Sequence, residues 1–138
     1  MPVPSSADTT LRQVRRLCLA LPETSEMMAW GHPVFKAGTK TFAAFEPIKG
    51  RPSIALRLDP VDVDLLRRQK SFFETPYGRG LWASAWADER LDWALMTSLV
   101  ERSYRIVALK RMLSVLDGAV ASGPKKTARP ARRPRRAR

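Results

Sequence analysis

The sequence predicts a two-layer α+β domain, in which an antiparallel sheet carries helices on one face in the order helix, three strands, helix, two strands, helix. Three observations predict it. Apolar residues recur at helical spacing near both ends of the chain, from Leu11 to Leu21 and from Leu95 to Leu116. The middle holds short segments that alternate apolar and polar side chains. These segments are clustered and do not alternate regularly with helices, which argues against a parallel βαβ array.

Taken in order, Thr10 and Gln13 have the spacing of a capping box, so the first helix is expected to start at Thr10. Leu11, Val14, Leu17, Cys18 and Leu21 form its apolar stripe, and Pro22 stops it. Glu23 to Ala29 reads as a loop. Trp30-Gly31-His32-Pro33 then forms a stiff entry into a strand over Val34 to Ala37, joined to a second strand over Lys40 to Glu46 by a tight Gly38-Thr39 turn. Pro47, Gly50 and Pro52 interrupt the pattern before a third strand, in which Ile54, Leu56 and Leu58 share one face.

Asp59 and Pro60 supply an N-cap and first helical residue for a short helix over Pro60 to Gln69. Ser71 to Thr75 and Leu81 to Trp86 form a second strand pair. Within it Trp82, Ser84 and Trp86 share a face that is either core or an open platform. Asp92 caps one long helix from Trp93 to Leu116, ended by Gly118. Residues 1–9 read as a leader, 10–118 as one folded domain and 119–138 as a disordered basic tail.

Charge separates these parts more sharply than hydropathy does. The 138 residues carry a net charge of +12, yet the stretch from Gly123 to Arg138 holds Lys125, Lys126, Arg129, Arg132, Arg133, Arg135, Arg136 and Arg138 with no acid. The rest has 17 basic and 13 acidic residues, a net +4. Such a block repels itself, has little apolar surface to bury and attracts polyanions. No apolar run is long enough to cross a bilayer, the N-terminus lacks a secretory signal and the single Cys18 asks for no oxidising compartment, so a cytoplasmic location is expected.

Catalytic chemistry has few ingredients here. Only Cys18 and His32 could form a thiol-imidazole pair, and Cys18 lies on an apolar helix stripe. His32 could work with Glu26, Glu46 or Asp88, but spacing selects none of them. Asp59, Asp62 and Asp64 superficially resemble an oxygen-ligand loop without its glycine or distant glutamate, and acids in a first helical turn are ordinary. No enzymatic activity, catalytic residue, metal or cofactor is expected.

Several motifs together resemble the MmcQ/YjbR family. They are Leu21-Pro22-Glu23, Trp30-Gly31-His32-Pro33-Val34-Phe35-Lys36, Ala55-Leu56-Arg57-Leu58-Asp59-Pro60, Leu81-Trp82, Leu91-Asp92-Trp93 and Glu101-Arg102-Ser103-Tyr104-Arg105. The resemblance spans about Leu11 to Leu116 and omits the basic tail. It implies a CyaY-like, secretion-chaperone-like fold and a DNA-binding role.

The expectation is therefore a DNA-binding protein, with RNA as a further partner, whose tail contacts phosphates without reading sequence. Arg102, Arg105, Lys110 and Arg111 would extend that basic surface. Trp30, His32, Lys36, Arg57, Tyr77, Arg79 and Trp82 are candidates for a groove with stacking rings, although each has a competing reading as core or solvated surface. The alternative is a protein-interaction or small-ligand-binding module that uses the uncovered sheet face.

Overall fold

Two-residue turns generate most of the sheet. In the computed structural model, which describes residues 6–121, the chain forms α1 (Ser6–Leu19), β1 (Thr24–Ala29), β2 (His32–Ala37), β3 (Lys40–Ile48) and β4 (Arg51–Arg57). Then follow α2 (Pro60–Leu66), β5 (Phe72–Glu74), β6 (Trp82–Trp86), α3 (Trp93–Val107) and α4 (Lys110–Ala121). The first four strands form a meander. Trp30-Gly31 and Lys49-Gly50 each place two successive residues at positive φ, the backbone demanded by a tight type I′ hairpin. The sheet order is β1-β2-β3-β4-β6-β5, with every pairing antiparallel.

Among the described residues, helices cover one face of this sheet and none covers the other. Val14 and Cys18 of α1, Val63 and Leu66 of α2, Met96, Leu99, Val100 and Tyr104 of α3, and Met112 of α4 share a core with Phe35, Phe42, Ile54, Leu56, Ala83 and Ala85 of the sheet. Opposite them, Val34, Ala44 and Ala55 form a second small cluster, flanked by Ala29 and Trp82 and without a helical residue. This is the α+β two-layer arrangement that the sequence predicts. Trp82, Ser84 and Trp86 lie on its uncovered side.

A bulge makes the two faces compatible. Val34 pairs with Ala44 and Phe35 with Ala43, whereas Lys36 pairs with Thr41, leaving Phe42 as the extra residue. Phe42 and Ala43 both enter the helix-side core as a result. There Phe42 meets Tyr104 edge to face, with ring centroids 5.7 Å apart, and the Tyr104 hydroxyl donates to the Pro22 carbonyl at 2.7 Å. This pair fastens α3 to the sheet and to the end of the α1–β1 connection.

Several boundaries differ from the sequence reading. The first helix starts at Ser6, so Thr10 is a buried helical residue and not a cap. The expected loop from Glu23 to Ala29 contains β1, an edge strand recruited by the Trp30-Gly31 turn despite its polar, methionine-rich sequence. Strands β3 and β4 continue through Pro47 and Pro52, which face each other, and the Pro52 carbonyl accepts from Ala87 N at 2.9 Å. The long C-terminal helix is two helices, because Ala108 adopts extended geometry with ψ 148° while its N–H still closes onto Tyr104. The break has no proline or glycine and lets Met112 become fully buried beside Gly38. Helix α4 then passes through Gly118 to Ala121. Residues 119–121, expected in the tail, therefore belong to α4, and the rest of the expected tail, from residue 122 onward, lies outside the described residues.

The Asp59 and Asp92 caps match expectation. Asp59 accepts from Asp62 N at 3.0 Å, and Asp92 accepts from Ala94 N and Leu95 N at 3.0 and 3.2 Å.

Phe42→Ala should destabilise the domain by about 3–5 kcal/mol, the usual cost of emptying a buried aromatic site. Tyr104→Phe should cost about 1 kcal/mol by removing one hydrogen bond. Urea unfolding of the two variants tests this order, and an equal or reversed effect would contradict it.

Candidate functional site

The uncovered face contains a groove of about 510 Å³ between the Trp30-Gly31 hairpin tip and the β5–β6 loop. Its floor comes from inward-facing alternation on three strands. Met27 and Ala29 belong to β1, His32, Val34 and Lys36 to β2, and Thr41, Ala44 and Glu46 to β3. Trp30, Tyr77 and Trp82 provide aromatic walls.

The bulge determines which polar groups meet. An unbulged Gly38-Thr39 hairpin would place His32 opposite Phe45, whereas the observed one-residue shift brings Glu46 onto the same face as His32. Glu46 is only 7% exposed and its Oε1 lies 3.8 Å from His32 Nε2. Its Oε2 accepts a hydrogen bond from the Tyr77 hydroxyl. His32 Nδ1 is buried without a hydrogen-bond partner among the described residues. Its Nε2 stands just beyond hydrogen-bonding distance of the Glu46 carboxylate.

Burial raises the Glu46 carboxyl above its ordinary value near 4.5, an effect partly offset by His32. The Tyr77 contact depends on a constrained loop. Gly78 N donates to the Thr75 carbonyl at 3.0 Å, and a Cβ at Gly78 would stand 2.6 Å from Trp82 Cβ.

The expected groove residues are not equivalent. Trp30 is 92% exposed at the hairpin tip, which excludes a core role, and the half-buried Trp82 flanks the groove floor. Lys36 lies in the groove, two residues beyond Val34 and so on the same face of the strand. Arg57 is on β4 opposite Trp82 and directs its guanidinium to the carbonyls of Leu58 and Leu81, at 2.5 and 3.5 Å. Arg79 is exposed on the β5–β6 loop at positive φ.

The expected basic surface on the C-terminal helices is largely neutralised. Arg102 bonds Asp62 at 2.8 Å, Arg105 bonds Glu101 and Asp117 at 2.9 and 2.7 Å, and Arg111 bonds Glu23 at 3.1 and 2.8 Å. Lys110 is exposed at the start of α4. Lys125, Lys126, Arg129, Arg132, Arg133, Arg135, Arg136 and Arg138 lie outside the described residues.

The other groups considered for chemistry have different partners. Glu26 is held by Arg15 at 2.6 and 2.9 Å, while Asp88 is held by Arg51, which also stacks over Trp86. Cys18 is fully buried, and burial pushes its thiol far above the ordinary range. Asp59 caps α2, Asp62 pairs with Arg102, and Asp64 pairs with Arg67 and Arg68. Among the described residues, no three His, Cys, Asp or Glu side chains gather as a metal site.

Glu46 should leave a pH signature in stability. In the unfolded chain it ionises near 4.5, whereas folding favours its protonated form. Its contribution is therefore full below that value and is lost as pH rises through the raised folded value. Glu46→Gln should show a smaller loss of stability than the parent between about pH 4.5 and neutrality in urea unfolding. Parallel pH profiles would contradict the assignment.

Comparison with known proteins agrees with this architecture. A crystal structure of a Deinococcus radiodurans protein with a DUF419 domain superposes with a TM-score of 0.64 at 21% identity, covering 78% of this chain and 87% of that one. A Pseudomonas syringae protein superposes with a TM-score of 0.53 at 20% identity, covering 60% and 86% of the two chains. At these identities the likeness concerns the fold alone. No curated protein sequence matches. The YjbR family profile, however, matches residues 19–106, from the end of α1 through most of α3, and so includes every residue that lines the groove. The chain therefore belongs to the YjbR family.

Proposed function

We propose that this YjbR-family chain is a non-enzymatic DNA-binding protein in which the C-terminal basic block supplies affinity and the uncovered sheet face supplies the contact surface of the folded domain. The observation that carries the reading is the eight cations without an acid between Gly123 and Arg138. Phosphate neutralisation by such a block releases counterions and gives binding that falls steeply with salt.

The ion pairs of Arg102, Arg105 and Arg111 argue against the C-terminal helices as the main phosphate surface, since each guanidinium already faces a carboxylate. The groove face has a different balance. It combines Lys36 with exposed and half-buried rings, a composition suited to unpaired bases as well as phosphates. RNA is a further partner on the same chemistry. A cytoplasmic location suits a nucleic-acid binder whose single cysteine is buried and unpaired. No helix among the described residues is long and apolar enough to cross a membrane.

A second reading is favoured by a specific observation. The enclosed Glu46 carboxylate, the Tyr77 hydroxyl and the apolar floor make the groove suitable for a small ligand.

Titration of duplex DNA should separate the parts of the proposal. The full chain should bind at low salt with a log-log slope of up to roughly 7, from about 0.9 per neutralised phosphate, and a chain ending at Ala121 should lose most of that slope. Failure of both proteins to bind at low salt would overturn the DNA reading.

A further inference from the structure

The groove has unlike ends. Glu46, His32 and Tyr77 form the end nearest Trp30, whereas Lys36 and Thr41 form the other. His32 and Lys36 are four residues apart on one strand, roughly 13 Å at about 3.3 Å per residue. Between them lie Val34 and Ala44, which present only apolar surface. A matching ligand needs hydrogen-bond donors at one end, a flat or apolar middle and an anion at the other.

The acceptor end narrows the choice. A carboxylate accepts through both oxygens and offers no donor when ionised. The Tyr77 hydroxyl occupies one site on Oε2, which leaves acceptor positions on both oxygens. Guanine presents a ring N–H and an amino N–H side by side on its pairing edge. Adenine and cytosine place an acceptor nitrogen beside the amino group, and uracil flanks its single N–H with carbonyls. Only guanine meets the carboxylate with two adjacent donors. The elevated Glu46 carboxyl marks a desolvated acceptor whose ionised form two such donors would favour.

We propose that the groove binds a guanine nucleotide, with its pairing edge on Glu46, its ring against Trp30 and its phosphate on Lys36. The nucleotide is either free or one unit of a single strand. Trp30 is well placed for stacking because it stands almost wholly in solvent at the acceptor end. Lys36 has no ion pair with a described residue, unlike Arg102, Arg105 and Arg111, and so retains its charge for a phosphate. The inference deepens the nucleic-acid reading and rests on it for the strand-borne case.

Calorimetric titration of the full chain with GMP, AMP, CMP, UMP and guanosine tests the site. GMP should bind at least about tenfold more tightly than the other nucleotides, because a mismatched edge leaves the buried carboxylate unpaired. Glu46→Gln should erase that preference, Trp30→Ala should weaken GMP and guanosine together, and Lys36→Ala should weaken GMP but not guanosine. Trp30 is so exposed that its loss cannot be attributed to a collapsed core. Equal binding of all four nucleotides, no binding at millimolar concentration, or GMP binding indifferent to both Glu46→Gln and Trp30→Ala would overturn the proposal.

Single-stranded oligonucleotides with and without one guanine, compared at high salt to suppress the tail, identify the source. Guanine-dependent oligonucleotide binding supports a strand-borne base, and GMP binding without that dependence supports a free nucleotide. Salt-sensitive duplex binding together with no nucleotide binding would overturn the groove proposal and leave the DNA reading intact.

Discussion

The single extra residue opposite Phe35 decides what each side of the sheet contains. Without it, strict two-residue periodicity would turn Ala44 and Glu46 toward the helices and Phe45 toward the uncovered face. A carboxylate would then enter the main core while a phenyl ring occupied the groove. With the bulge, Phe42 and Ala43 both serve the core, and the next alternation delivers Ala44 and Glu46 to the other side. Core packing and groove polarity are thus two results of one shift in register.

The same separation organises the charges. Arginines around the helix layer are paired with nearby acids, as in Arg15 with Glu26, Arg102 with Asp62 and Arg111 with Glu23. Exposed pairs of this kind contribute little stability individually, but they consume cationic groups that a count of basic residues would assign to a partner. Along the groove the pattern reverses. Glu46 faces an imidazole at 3.8 Å and a hydroxyl, with no arginine or lysine among the described residues bonded to it.

Much of the architecture was legible from local signals. The period-two run through Ile54, Leu56 and Leu58, the Gly38-Thr39 turn and the Asp59 and Asp92 caps all describe interactions within a few residues. Strand β1 was missed because its sequence lacks alternating large apolar residues, and its pairing depends on the Trp30-Gly31 turn that follows it. The α3–α4 break was missed for a different reason: no breaker residue marks it, and burial of Met112 against the sheet is a tertiary effect. At the site, the sequence identified Trp30, His32, Lys36, Tyr77 and Trp82 as groove candidates but gave Glu46 no preference over Glu26 or Asp88. Choosing Glu46 required the bulge, which shifts residues by one position and has no glycine or proline to announce it.

The exposed hairpin tip has a practical consequence. Of the four tryptophans, Trp82, Trp86 and Trp93 are partly covered, whereas Trp30 stands 92% exposed beside the groove. Its indole emission therefore reports a hydrated ring, while the other three report packed surroundings. Covering the groove mouth would dehydrate Trp30 most, and to a smaller extent Trp82, which lines the same groove. The hairpin tip thus gives the molecule its most sensitive intrinsic optical probe of the groove.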